Sequence, residues 1–131
     1  MSSEPSMVFV YGTLMRGFAC HHHMSGGHFE GEAAADGRLI SLGECPAFVE
    51  GSGTVHGELY TFDDLPAALD VLDEVEEFDP ADPDSSEYVR DARTVRRGDG
   101  TQLLAWLYVY NRPHEGALFI ESGDWRAPSE P

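Results

Sequence analysis

One glutamate of the sequence occupies a helical position where an apolar residue is expected. At about 100° per residue, Leu65, Leu69 and Leu72 fall on one narrow stripe of a predicted helix. The next position on that stripe is Glu76. A carboxylate buried there without a partner would be costly, or its pKa would be raised toward the range that general acid/base catalysis requires. The alternative is that the helix has already ended at Glu76, which then lies on an exposed last turn.

A glycine turn follows the first predicted strand. Gly12, Thr13 and Leu14 come directly after an apolar, β-branched and aromatic run that ends at Tyr11. Such a turn can present successive backbone N–H groups to a carboxylate or an oxyanion. It lacks the spacing of the glycine-rich loops that bind nucleotide phosphates. The simpler interpretation is that Gly12 only ends the strand.

A cysteine and several histidines follow this turn, as Cys20-His21-His22-His23 with His28 nearby. Thiolate and imidazole suit zinc, but four consecutive residues cannot all converge on one tetrahedral ion. We therefore expect a solvated or pocket-lining histidine cluster and no metal site. Cys20 as a nucleophile paired with a histidine is a further hypothesis, but no third group that would orient the pair is evident.

The charge of the chain excludes several classes of partner. Its 131 residues include 24 Asp and Glu against 8 basic residues, all arginine, for a net charge of −16. No basic patch is available to follow phosphates or an anionic membrane surface, so neither nucleic acid nor membrane is an expected partner. With 41% apolar residues, the chain is too hydrophobic to be disordered. A folded, acidic, lysine-free chain suggests a halophilic source, and we expect its stability to fall in dilute buffer.

The expected location is the cytoplasm. Two cysteines are too few for a secreted disulfide scaffold, and residues 1–6 lack the basic and apolar regions of a signal peptide. The longest apolar run, residues 103–110, is too short to span a bilayer.

The coarse pattern predicts an α+β fold with a sheet rolled toward a small barrel. The helix is expected to begin at Asp63 or Asp64, to accept Pro66 in its first turn and to end at 79–80. One domain is predicted at 7–126, with a disordered tail at 1–6 and a frayed end at 127–131. Strands are predicted at 7–11, at 29–42 (one or two strands, broken at 36–37), at 54–62, and at 87–96 and 102–110 around a hairpin at 98–100; breaks are predicted at 44–46 and 51–53.

Three stretches, taken in order, carry a family resemblance. They are Val10-Tyr11-Gly12-Thr13-Leu14-Met15-Arg16-Gly17, then Val55-His56-Gly57-Glu58-Leu59-Tyr60 leading to Leu72-Asp73-Glu74-Val75-Glu76, then Tyr88-Val89-Arg90. They resemble the YGTL-x-x-G, V-x-G-x-x-Y with LDxxEG, and Y-x-R motifs of the γ-glutamylcyclotransferase-like superfamily, in its short branch with AIG2-like proteins and γ-glutamylamine cyclotransferase. The likeness spans residues 7–126, including a similar tail at 122–125.

The resemblance implies a small mixed β-barrel with flanking helices and an enzyme that needs no cofactor. The family reaction cyclises the γ-glutamyl group of a γ-glutamyl amine or dipeptide to 5-oxoproline and releases the amine. The family's catalytic acid/base falls on Glu76. The implied substrate-binding residues are Tyr11, Gly12, Thr13, Leu14 and Tyr88.

Other implications of the resemblance are less specific. The partner would be a small γ-glutamyl molecule, and the protein a monomer or weak homodimer. His21 or His22 would line the site. Glu77 stands where the family usually has glycine, and its carboxylate would raise the pKa of Glu76 or crowd the pocket. The alternative to an enzyme is a non-catalytic ligand-binding or interaction module of the AIG2-like type.

Overall fold

In the computed structural model, which describes residues 5–126, five strands close into a small mixed barrel beside one α-helix. The elements, in chain order, are β1 (Val8–Val10), a 3-10 helix (His21–Met24), β2 (Gly27–Ser41), β3 (Pro46–Phe62), α1 (Leu65–Val75), a 3-10 helix (Pro83–Ser85), β4 (Tyr88–Arg97), β5 (Gln102–Tyr110) and β6 (Leu118–Phe119). The predicted end at 127–131 and residues 1–4 of the predicted tail lie outside the described residues.

The barrel closes through parallel pairing of β5, with β1 and, at Phe48 opposite Val109, with β3. Antiparallel pairing joins β1 to β3, β3 to β2, β2 to β4 and β4 to β5. β5 then returns to β1 in parallel, with Val8 opposite Trp106. The short β6 extends the sheet beyond β2. This arrangement confirms the expected α+β class and the small mixed barrel.

Two apolar clusters explain why the first strand reads as a continuous hydrophobic run. Phe9 belongs to a cluster that draws on all five barrel strands. Its neighbours Val8 and Val10 belong to a second cluster, which includes Leu69 and Leu72 of α1. Because β1 is buried on both faces, alternation of polar and apolar residues is absent from it.

The start of α1 follows its prediction. Asp64 is the N-cap, and its side chain accepts a hydrogen bond from the N–H of Ala67 at 3.2 Å. Pro66 lies in the first turn, where a backbone N–H has no acceptor within the helix. The lack of an N–H in proline therefore removes no helical hydrogen bond.

The end of α1 was predicted wrongly. The helix ends at Val75, four residues before the expected stop at 79–80. Glu77 has φ 56, the left-handed conformation that terminates many helices. Next, the N–H of Phe78 donates back to the carbonyl of Asp73 at 2.8 Å. The left-handed cap at Glu77, and not the proline, therefore ends the helix.

Two predicted strand breaks are also wrong. β2 runs through 36–37 and β3 runs through 51–53. The glycines there accommodate a slip in the pairing of the two strands, and four residues of β3 have no partner in β2. The flanking pairs are Arg38 with Val49 and Asp36 with Thr54. By contrast, the hairpin between β4 and β5 and the turn before Pro46 are confirmed.

Within residues 5–126, no helix is both long enough and apolar enough to cross a lipid bilayer.

Candidate active site

A cavity of about 340 Å³ lies where four segments meet: the loop after β1, the turn between β2 and β3, the end of α1 and the start of β4. This volume suits a small metabolite. Six residues that the sequence singled out line it together: Tyr11, Gly12, Thr13, Leu14, Glu76 and Tyr88.

Glu76 is the C-cap of α1, and its N–H still donates to the carbonyl of Leu72 at 2.9 Å, so its backbone continues the helical turn. Its side chain lines the cavity, and the alternative of an exposed last turn is wrong. No group in residues 5–126 donates a hydrogen bond to its carboxylate, whereas burial and the negative charge of Glu87 raise its pKa from 4.5 to about 7. Glu76 is therefore a carboxyl group that can exchange a proton near neutral pH.

The second carboxylate that acts on Glu76 is Glu87 and not the expected Glu77. Glu77 adopts the left-handed backbone conformation at the end of the helix, which a glycine would adopt without strain. Glu77 is exposed. Glu87 precedes β4, and its N–H donates to the carbonyl of Glu77 at 3.2 Å. The departure from the family glycine thus changes the helix cap more than it changes the pKa of Glu76.

In the loop after β1, the backbone carbonyls and the backbone N–H groups differ in their hydrogen bonding. The carbonyls of Gly12, Thr13 and Leu14 all accept hydrogen bonds from within the protein. Among the described residues, the N–H groups of the same three residues have no acceptor. Because Gly12, Thr13 and Leu14 line the cavity, three N–H groups without an acceptor belong to its wall, and groups of this kind can bind an anion. The donors to the three carbonyls are the N–H of Met15 at 3.0 Å, the N–H of Cys20 at 3.0 Å and Nδ1 of His21 at 2.9 Å.

Close packing explains the glycine of this loop. A Cβ added at Gly12 would lie 2.7 Å from Cγ of Pro46, closer than real contacts allow. Gly12 therefore lets the loop approach the turn between β2 and β3, and it does more than end the strand.

The expectation that His21 or His22 lines the cavity is wrong. His21 does not line the cavity, and its Nδ1 hydrogen-bonds the carbonyl of Leu14. His22 is exposed. Cys20 and Cys45 do line the cavity, and burial raises the pKa of the Cys45 thiol. In the part of the chain that the structure describes, no three His, Cys, Asp or Glu side chains are grouped as metal ligands.

Asp73 is a buried residue beside the cavity whose supporting contacts sequence reasoning missed. Its buried carboxylate accepts from Arg90, at 2.8 and 3.2 Å, and from the hydroxyl of Tyr108 at 2.7 Å. The carbonyl of Tyr108 in turn accepts from the hydroxyl of Tyr11 at 2.6 Å. This chain of hydrogen bonds ties the last turn of α1, and hence Glu76, to β4, β5 and the glycine loop. The signal was present, because Asp73 and Arg90 both fall within the quoted motifs.

Tyr88 completes the wall opposite the loop. Its hydroxyl donates to the carbonyl of Pro46 at 3.4 Å, and burial raises its pKa far above the ordinary value. Burial likewise raises the pKa of Tyr11, whose hydroxyl is committed to Tyr108. Both phenols therefore stay protonated and can act only as neutral hydrogen-bonding groups.

Glu76, whose carboxylate accepts no hydrogen bond within residues 5–126, and the three loop residues with available N–H groups line one cavity of a size that suits a small molecule. Comparison with known proteins agrees. Residues 8–127 match the family described as gamma-glutamyl cyclotransferase, AIG2-like. The gamma-glutamylcyclotransferase family protein YtfP of Escherichia coli K12 is 38% identical over 119 residues, covering 90% of this chain and 94% of the relative. The chain therefore belongs to the γ-glutamylcyclotransferase family of AIG2-like proteins, whose substrates are small γ-glutamyl molecules.

Solved structures show the same fold. The solution structure of ytfP from Escherichia coli has a TM-score of 0.63 at 38% identity and covers 91% of this chain and 95% of that one. A mouse aig2-like protein has a TM-score of 0.68 at 24% identity, with coverage of 88% and 86%, and supports the fold alone.

Proposed function

We propose that this protein is a γ-glutamylcyclotransferase that converts the γ-glutamyl group of a γ-glutamyl amine or dipeptide to 5-oxoproline, with Glu76 as general acid and base. In this reaction the substrate's α-amine attacks its own γ-carbonyl carbon and closes a five-membered ring. The C–N bond to the leaving amine then breaks. Substrate connectivity supplies much of the proximity, so the protein must chiefly move protons and stabilise negative charge.

The glycine loop is suited to the negative charges of the substrate. The available N–H groups of Gly12, Thr13 and Leu14 would hold the α-carboxylate or the oxyanion that forms at the γ-carbonyl. Tyr11 and Tyr88 would bound the substrate on either side. Because the carbonyls of the loop are already engaged, the N–H groups need no rearrangement to serve this role.

Glu76 is suited to both proton transfers. As a carboxylate it would take a proton from the α-ammonium group, and as a carboxylic acid it would return that proton to the leaving nitrogen. A pKa of about 7 makes both states accessible near neutral pH. The ring nitrogen must also lose a second proton after the attack, and Glu76, again a carboxylate, would pass this proton to the released amine, which departs as an ammonium ion, so that both protons lost by the α-nitrogen are accounted for.

One observation carries the proposal: an unpaired carboxyl group with a raised pKa lies in the same cavity as three available N–H groups. A non-catalytic binding module, the alternative function, would need the N–H groups but not the carboxyl group. The unpaired Glu76 therefore favours an enzyme.

The proposal is tested by incubating the protein with a panel of γ-glutamyl amines and γ-glutamyl dipeptides and assaying 5-oxoproline. Turnover of at least one compound is expected. Saturable binding of these compounds without release of 5-oxoproline would instead establish the binding module.

A further inference from the structure

Glu58 is a buried carboxylate that the proposed reaction does not use. It lies on β3 with 1% of its surface exposed, and it is not among the residues that line the cavity. Burying a charge is costly, and a well-packed apolar residue is often as stabilising as a buried ion pair. Stability of the fold therefore does not by itself explain a glutamate at this position, and its contacts lead to the loop after β1.

The loop after β1, residues 11–16, is attached to Glu58 at both of its ends. At the start, Val10 is paired with Glu58 in the antiparallel ladder of β1 and β3. At the end, the N–H of Arg16 donates to Oε1 of Glu58 at 3.1 Å, and no other acceptor for this N–H lies within the described residues. The three available N–H groups of the cavity wall belong to residues 12–14, between these two attachments. One residue of β3 therefore fixes both ends of the segment that carries them.

The two carboxylate oxygens of Glu58 have different partners. Oε1, which holds the loop, also accepts from the hydroxyl of Tyr60 at 2.8 Å. Oε2 accepts from Nε of Arg16 at 3.3 Å and lies 3.6 Å from Nη1 of Arg126. Both guanidinium groups are also paired with Glu32 at the surface. The backbone contact and the ion pairs therefore involve different oxygens, and substitutions can remove them separately.

Tyr60 connects this attachment to a second one in the same loop. Its hydroxyl donates to Glu58, and its ring packs against that of His21, with the ring centroids 6.0 Å apart. Nδ1 of His21 hydrogen-bonds the carbonyl of Leu14 at 2.9 Å. Burial and the bond to Glu58 raise the pKa of Tyr60 far above its ordinary value, so its hydroxyl stays a donor. The loop is thus held at Leu14 and at Arg16 by one connected set of side chains.

We infer, resting on the proposed function, that Glu58 is a positioning residue, which holds the loop in the conformation where the N–H groups of residues 12–14 bind the carboxylate or the oxyanion of the substrate. Glu58 does not touch the substrate and acts through the N–H of Arg16. Such donors stabilise a transition state only when they are already in place, and a misplacement of about 1 Å can cost about a hundredfold in rate. Release of one end of the loop should therefore slow the reaction although every residue of the cavity wall is unchanged.

Two substitutions at this position separate the loop contact from the charge. Glu58→Gln removes the charge, but its amide oxygen can still accept from the N–H of Arg16. Glu58→Asp keeps the charge, but its side chain is one methylene shorter and withdraws the carboxylate from that N–H. In assays of 5-oxoproline release, we expect Glu58→Gln to keep kcat/KM within about threefold of the parent and Glu58→Asp to lose about tenfold or more. A role of the charge alone predicts the opposite order.

Two further measurements distinguish positioning from a general loss of structure. The pH at which kcat/KM rises should be the same in the parent and in both variants, because Glu76 is untouched. Hydrogen exchange of the Arg16 amide should be about tenfold faster in Glu58→Asp than in the parent, and unchanged in Glu58→Gln. The amide of Trp106, which donates to a carbonyl within the barrel, is the reference and should exchange equally in all three proteins.

The matched control is Glu32→Gln, which removes a charge from the same ion pairs without contacting the backbone of the loop. It should match the parent in kcat/KM. A folded Glu58→Asp with the parental kcat/KM, or a folded Glu58→Gln that loses tenfold or more, would overturn the inference and leave the proposed function standing. Absence of 5-oxoproline from the parent protein with every γ-glutamyl compound of the panel would overturn both.

Discussion

The replacement Glu76→Gln should stabilise the folded protein at alkaline pH, although it removes the proposed catalytic group. Burial and Glu87 raise the pKa of Glu76 from 4.5, its ordinary value, to about 7 in the folded state. A group whose pKa rises on folding stabilises the fold fully below its unfolded pKa, and that contribution is lost as the pH rises through the folded value. Glutamine keeps the shape of the protonated acid at every pH and avoids this loss.

The magnitude follows from the two pKa values. A tenfold change in proton affinity is worth about 1.4 kcal/mol. The rise in pKa from 4.5 to about 7 therefore predicts that the free energy of unfolding of Glu76→Gln exceeds that of the parent by about 3 kcal/mol at pH 8. At pH 5 the same two values leave an advantage of about 1 kcal/mol or less. Urea unfolding at constant ionic strength measures both, and the matched control is Glu74→Gln, an exposed residue in the last turn of α1. An advantage of equal size at both pH values, or one shared by the control, would refute the assignment of a raised pKa to Glu76.

Three further predictions follow from the site and its supports. The value of kcat/KM should rise with pH to a plateau above about pH 7, because Glu76 begins as the base. Glu87→Gln should move this rise to lower pH, and an unmoved profile would contradict the role of its charge. Asp73→Asn should lower the free energy of unfolding in urea by about 3 kcal/mol, because Arg90 loses its buried partner; a neutral result would contradict the proposed support. Glu77→Gly should raise that free energy by about 1 kcal/mol by relieving the left-handed backbone; destabilisation would show that Glu77 makes a contact that outweighs its strain.

Local sequence signals predicted the elements that depend on neighbours along the chain. Asp64 and Pro66 predict the start of α1, and the glycines at 98–100 predict the hairpin between β4 and β5, because helix caps and tight turns depend on residues close together in the sequence. The end of α1 was missed because it depends on Glu77 adopting a conformation that glutamate rarely takes. The continuity of β2 was missed because the slip at 36–37 is set by its pairing with β3.

Some residues of the candidate site were likewise predictable from local sequence signals, and others were not. Periodicity along α1 and the turn after β1 each pointed to one wall of the cavity, and these walls carry Glu76 and Gly12. The residues that sequence reasoning missed, such as Glu87 and Cys45, reach the cavity only through contacts between distant segments. Glu76 lies one residue beyond α1, yet its N–H still donates to the carbonyl of Leu72 at 2.9 Å, so the stripe that periodicity predicted extends to this residue.

The most direct test of the account is the rate of 5-oxoproline release from a substrate of the parent protein by Glu76→Gln, beside Glu74→Gln as the matched control. We predict that Glu76→Gln loses at least a thousandfold in kcat while remaining folded by circular dichroism, and that the control retains the parental rate. A thousandfold loss exceeds any effect of surface charge and matches the removal of a general acid/base. Turnover by folded Glu76→Gln at a rate near that of the parent would contradict the assignment of Glu76 as the group that moves the proton.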